Sequence, residues 1–451
     1  MPRISSLVCG ILLLAASAVP LLAQDDDSRR SLDLTVGGFG ISIGDSRRVN
    51  GLRLNYRDSR LEQVNGINAT IWFPYREDGG RINGLALGLP STGGTEIYGA
   101  AAAVLGTSVN SSLRGVGVAG GGFGAGVEVS GIYVGGLGVG SGYIVRGVAA
   151  GLLGVGAGGR VAGVALGGLG VASGGDIEGL AVGGLGAGAG GNLRGVVIGG
   201  LGAAAGGGFR GLVVGGLGAG TGGRVEGIGI GGLGVAAGGG GVGALIGGLG
   251  AGVGGSFKGL MVGGVGAGVG GDLAGLSVAG IGAGVAGDLA GLSLAGVGFG
   301  VGGDFRGISV SGVGMGVGGD IRGIAIGGLG VGAGGTIHFL SIGGIGVGAP
   351  RIEGVAIGGV GIATEEMEGL MVGGLWNRLR RDGEDAALGG TFTGVGVSAF
   401  NQIRGHQKGL TIGILNYAWS LHGVQIGLVN IVRDNPPGRR VLPIVNWGSQ
   451  E

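Results

Sequence analysis

The chain has 451 residues, 131 of them glycine, with 4% aromatic and 12% charged side chains and a formal net charge of +1. Only 8 prolines and no three-residue glycine period exclude a collagen triple helix. A mean hydropathy of +0.56 is too apolar for simple disorder, and a near-neutral chain exerts no bulk electrostatic pull on nucleic acid or anionic lipid.

Residues 1–23 read as a secretory signal peptide. Arg3 is the basic start, and LVCGILLLAASAV is an apolar stretch too short to span a bilayer as a helix. Cleavage fits after Ala23, with Ala16-Ser17-Ala18 as a second site. Cys9 lies ahead of most of the apolar stretch, which argues against lipid attachment there. Removal of residues 1–23 leaves 27 basic and 27 acidic residues and no cysteine, so the fold needs no disulfide. No later apolar run reads as a membrane helix, because glycine at this density opposes helix by about 1 kcal/mol per residue.

Residues 24–48 form a lead-in, and 49–114 hold irregular polar repeats. VNGLRL, VNGINA and INGLAL place marker glycines at 51, 66 and 84, and Gly99 continues the rhythm. From Gly115 to Gly323 a marker glycine recurs fourteen times at intervals of sixteen residues, without insertion or deletion. The regular array extends over 115–375. Phe339 takes the place of one marker glycine, and Gly354 and Gly369 follow. A charged insertion at 376–388 precedes the C-terminal repeats and a capping hairpin in 389–451.

The charges carry the most information. All sixteen charged residues between 115 and 323 fall in two columns of the repeat, two residues apart. Between them lies an apolar column that includes Ile177, Leu193, Phe209, Val225, Phe257, Leu273, Leu289, Phe305 and Ile321. Polar–apolar–polar alternation describes an extended segment with the apolar residue inward. Leu212 and Val214 share one face, and Leu217, Ala219 and Thr221 share another. The phase changes at Gly215-Gly216 and Gly222-Gly223, where the chain can turn sharply. Each unit is therefore two or three short strands with glycine corners.

The pattern predicts an all-β fold, a β-solenoid of 16-residue glycine-rich coils closed by a C-terminal hairpin. A coil must keep its length to keep its stack, which the unbroken period respects. The competing architecture is an antiparallel β-barrel, and behind it another repetitive sheet or helical assembly. A barrel with one strand per unit would alternate with a period of 32, and the charged columns do not. Twenty-four stacked units would make a rod about 115 Å long at about 4.8 Å per strand spacing. The polar N-terminal repeats and the strand–Asn435-Pro436-Pro437-Gly438–strand segment would cap the ends. Most aromatic residues lie outside the regular array and are expected to build an ordinary core there.

KGLTIGILNYAWSLHGVQIGLVNIV followed by VLPIVNWG, with the VNGLRL-type repeats upstream, resembles the bacterial surface-repeat-containing proteins of the Leptospira type. The resemblance covers about 60 residues at the C-terminus and about 50 near the N-terminus. It implies an exported envelope protein of a Gram-negative bacterium, at the cell surface or outer membrane, with no enzymatic role assigned and no catalytic residues to carry over. The glycine-rich array departs from the polar repeats of that family.

Little in the chain points to chemistry, and no catalytic, cofactor or metal site is assigned. Gly-x-Gly-x-x-Gly recurs, but without the strand–helix context of a nucleotide site. His338, His406 and His422 stand far apart, and Thr221 is almost alone, too little for an ice-binding threonine ladder. The row Asp272, Asp288, Asp304 and Asp320 is the one site-like feature. Stacked carboxylates repel unless Arg306 and Arg322 offset them or calcium bridges them. The calcium β-roll pattern has a nine-residue period that this chain lacks. The expected role is a structural or interaction protein: a surface scaffold, spacer or adhesin-like component, with self-association or an envelope partner as its binding mode. An outer-membrane barrel is the alternative.

Overall fold

A computed structural model describes residues 31–36, 39–75, 79–379 and 389–448. The predicted signal peptide, residues 1–23, and positions 380–388 of the charged insertion lie outside the described residues. The fold is a β-solenoid of about 22 turns. Leu193–Gly199 pairs in parallel with Phe209–Gly215, aligning Leu193 with Phe209 and Gly195 with Gly211. The short strand Gly202–Ala205 pairs in parallel with Gly218–Thr221 in the same way. The sixteen-residue period is thus the length of one coil. The antiparallel barrel is excluded, because the only antiparallel pairs among the described residues are the two end hairpins.

The marker glycines sit at the same point of every coil, from Gly51↔Gly66 to Gly394↔Gly409. Each has a positive φ, +116° at Gly211, a backbone state that L side chains rarely adopt. A Cβ on Gly211 would also collide with the carbonyl oxygen of Gly195 one coil below. The chain bends there, so each coil has three extended stretches. The first carries Phe209 inward and Arg210 outward, the second Val213 inward, and the third Ala219 and Thr221 inward.

The inward column between the charged columns is buried as expected, from Ile177 to Ile321. One predicted face is not preserved. Leu217 does not share the inward face of Ala219 and Thr221 but stands half-exposed at a corner. The chain turns at Gly216-Leu217, and that residue drops out of an alternation that otherwise keeps its phase from Val213 and Gly215 to Ala219 and Thr221.

Core volume is balanced between neighbouring coils. A Cβ on Gly229 would press on the Phe209 ring and on Leu245 and Val235, so glycine opposite makes room for the large residue. The expectation about aromatics is reversed. Tyr133, Phe209, Phe257 and Phe305 are buried inside the array, whereas Tyr56, Trp72, Phe73 and Tyr75 are exposed on the N-terminal loops. A thin coil admits one large ring where a neighbour is small, and in the first N-terminal coils part of the interior beside Val64 and Ile82 is taken up by Arg53, Asn68 and Thr70.

Both ends are covered by antiparallel hairpins. The C-terminal one is formed by Val441–Gly448 returning along Phe400–Val432, around the Asn-Pro-Pro-Gly turn. The N-terminal one pairs Ser31–Val36 with Phe39–Gly44, within residues read only as a lead-in. The first residues of the charged insertion, Trp376–Leu379, continue the stack by pairing with the coil at Gly361–Thr364.

Candidate interaction surfaces

The charged side is built by the stretch flanking the inward apolar column. Along the Asp row each carboxylate reaches the next coil. The backbone N–H of Asp288 donates to Asp272 Oδ1 at 3.0 Å, Asp304 to Asp288 at 2.8 Å, Asp320 to Asp304 at 2.9 Å and Thr336 to Asp320 at 2.8 Å. Asp176 does the same for Asn192, and Asn192 for Gly208. At this corner the backbone leaves the sheet ladder, and the side chain takes the orphaned donor in the manner of a helix cap. The N–H of Asn192, first among several contacts, holds the Asp176 carboxyl below the usual carboxylate range. Arg322 bridges Asp304 and Asp320, at 3.4 and 2.7 Å. The row that suggested calcium is thus a ladder of corner caps. Among the described residues no three His, Cys, Asp or Glu side chains form a metal-binding group.

Several of the remaining charges pair along the stack, with Arg210 on Glu226 at 2.7 Å and Arg194 on Glu178 at 2.7 Å. The three histidines are not brought together. His338 meets Glu353 at 2.8 Å and His406 meets Ser420 at 2.5 Å. Thr221 points inward and donates to the Gly207 carbonyl, so it offers nothing to a flat outer face.

Two buried polar networks escaped the sequence reading. In the first coils Arg53 is fully buried, paired with Asp45 at 2.7 Å and with Asp58, and donates to Asn68 at 2.8 Å. Thr70 donates to Asp58 at 2.7 Å. Burial raises the Asp45 carboxyl, but hydrogen bonds from Ser59 and the charge of Arg53 outweigh it, and the net shift is downward. Hydroxyls of Ser42 and Ser46 lower Asp33 nearby. In the last coils Asn377, Asn401, Asn416 and Asn430 form an internal amide ladder, each donating to the next at 3.0, 2.8 and 2.8 Å. Register was the available signal. Arg53 and Asn68 lie two residues after marker glycines, the inward position held by Val213 in the array. Asn401, Asn416 and Asn430 each lie seven after one.

The other two sides of the array carry no charge between 115 and 323. On one, Ile132, Val148, Leu180, Ile228 and Ile308 stand at least a third exposed. At its corner runs a ridge of aliphatic residues, from Leu137 to Leu375 in sixteen consecutive coils, 41–63% exposed throughout. The ridge is held by its backbone, with Leu217 N–H donating to Leu201 and Leu233 to Leu217 at 2.7 and 2.6 Å. Beyond the ridge, the outer surface of the short strands is a shallow trough floored by glycine and alanine, as at Gly202, Ala204, Gly218 and Gly220. No helix among the described residues is long and apolar enough to cross a membrane.

No protein-family profile, no curated protein and no solved structure matches the chain.

Proposed function

We propose that the chain is an exported, surface-associated scaffold: a structural or interaction protein that presents long uniform faces rather than a catalytic pocket. The observation that carries this reading is the segregation of the array's surface. One side holds all sixteen charges between 115 and 323, and two sides expose glycine, alanine and aliphatic residues over many coils. A repeated face of this kind suits a partner that is itself extended or repetitive. The leader-like residues 1–23 and the resemblance of both ends to bacterial surface-repeat proteins support export to a Gram-negative envelope.

The test is localisation of the full-length chain, tagged at its C-terminus, in a Gram-negative host. N-terminal sequencing of the product should begin at Gln24, and the tag should be reached by antibody on intact cells. An uncleaved product confined to the cytoplasm would sink the reading. Imaging of the detergent-free product should show a rod about 105 Å long, from about 22 turns at about 4.8 Å each.

A further inference from the structure

The glycine content has two parts with different physical origins. Glycines at the marker and corner positions are dictated by the coil, since a Cβ on Gly211 or Gly216 would strike backbone of the coil below. Glycines on the outer surface of the short strands are not. A Cβ on Gly188, Gly252, Gly268, Gly284, Gly300, Gly316 or Gly332 would meet nothing within 4 Å, and none of these has a positive φ. Their outward neighbours two residues earlier, such as Gly250 and Gly266, have only ordinary contact distance around them, 3.7 and 3.6 Å.

The coils have nevertheless diverged around these positions. The inward residue between the two outward columns runs through Phe123, Val139, Ala187, Ala219, Phe299, Met315 and Ile362 in different coils. Across the same sixteen coils, from 122 to 363, the flanking outward columns hold nothing larger than alanine, and the first is glycine in every coil. At Gly122, Gly138, Gly154 and Gly361 a Cβ would strike the next coil's backbone, so the open positions lie from Gly186 to Gly332. Glycine inside a strand costs about 0.5–1 kcal/mol relative to alanine. Nothing inside the chain offsets that cost at the open positions, which places the constraint outside it.

We propose that this trough and the adjoining Leu137–Leu375 ridge are the interface for a second copy of the chain, packed side by side along its length. Three features favour a second copy over other occupants. The first is shape: a ridge one side chain high borders a trough one side chain deep. A two-fold axis parallel to the stack sets each ridge along the far edge of the other copy's trough, so one surface complements itself. The second is pitch. Ridge and trough repeat once per coil on both copies, so registration at one coil carries to all. The third is area. Sixteen coils at about 4.8 Å and four residues at about 3.3 Å give a face of about 1000 Å² per copy, above the roughly 800 Å² per partner of a stable interface. The charged columns lie on the third side, clear of the contact. At its C-terminal end the trough is closed by Trp376 and Arg378, which follow Gly361 and Ala363 in register. The contact therefore has a built stop. The proposal concerns assembly and does not depend on where the chain resides.

Sedimentation equilibrium of the purified chain, without detergent, should give twice the chain mass at micromolar concentration. Gly252→Lys with Gly268→Lys places charges in the trough where a side chain has room, and should raise the dissociation constant at least about a hundredfold by burying unpaired ammonium groups. The circular dichroism spectrum should stay unchanged, and the melting temperature should match that of the wild-type chain diluted to where it is monomeric. Leu217→Gln with Leu233→Gln should weaken the dimer in the same direction, and Arg210→Ala on the charged side should not. A monomer at about 100 µM, or a lysine variant that still dimerises, overturns the proposal. So does a monomer that floats with phosphatidylcholine vesicles, which would assign the apolar face to lipid.

Discussion

The coils around Arg53 and those around Phe209 follow one backbone path and fill it in opposite ways. The first encloses a buried ionic network of Arg53, Asp45 and Asp58 with Asn68 and Thr70. The second encloses Phe209, Val213 and Ala219 and has its charges outside. Both keep the marker glycine and the parallel register. The comparison teaches that the path is set by backbone geometry and stacking, while the interior needs only volume and satisfied polar groups. The two solutions should fail differently.

The largest effect is expected from Arg53→Met, which leaves Asp58 buried without a cation and Asp45 with only Arg60, 3.6 Å away. Breaking a buried pair from one side costs about 3–5 kcal/mol. Because repeats are stabilised by neighbours, hydrogen exchange should quicken in the N-terminal coils and not around 209–333. Uniform quickening along the stack would show that the coils do not differ in this way.

In the array the weak point is backbone rather than charge. Gly211→Ala forces an L side chain into positive φ and against the Gly195 carbonyl, at a cost of at least about 2 kcal/mol. Gly252→Ala, with open space and ordinary φ, should shift stability by less than about 1 kcal/mol, and upward. Urea denaturation of the two variants side by side reads the contrast, and equal losses would remove the distinction between dictated and surplus glycine.

Phe339 is a natural version of the first substitution. It occupies a marker position at φ +87° with its ring exposed. Phe339→Gly should stabilise the chain by about 1–2 kcal/mol, seen as a rise in melting temperature. A fall would mean that the ring contributes more than the strain it carries.

Acid should separate the regions most gently. The carboxyls of Asp33 and Asp45 at the N-terminal end, and of Asp176 in the array, lie below their ordinary value. Their contribution is present above the unfolded pKa of about 4 and is lost as pH falls through the folded values. Limited pepsin digestion between pH 4 and pH 2 should therefore cut first within the N-terminal coils, where two such groups sit close together. Earlier cutting in the array would reverse the ranking.

The period, the inward apolar column and the C-terminal hairpin were legible because each follows from a local rule: repetition, alternation of two, or turn chemistry. Leu217 was misplaced because alternation says nothing about which residue turns a corner. Arg53 was missed because charge alone reads as solvent exposure, and its partners come from loops and a neighbouring coil. The cap role of the Asp row was hidden for a related reason: its acceptors serve N–H groups sixteen residues on, which only the stacked coils reveal. What the solenoid's sides bind was the least legible, since outward columns carry information only once inward and outward are known.

The corner ladder gives the stack a direction. Asp288 accepts from Asp304, and Asp304 from Asp320, always from the later coil to the earlier one. Every bond of this kind can close as soon as sixteen more residues have followed, with no distant segment to wait for. A chain emerging N-terminus first meets a finished template at each turn, the first being the hairpin Ser31–Gly44 and the coil paired to it. Such winding keeps the unpaired edge one coil long throughout, so a sheet of this length can be completed without passing through a state in which many sticky edges are bare at once.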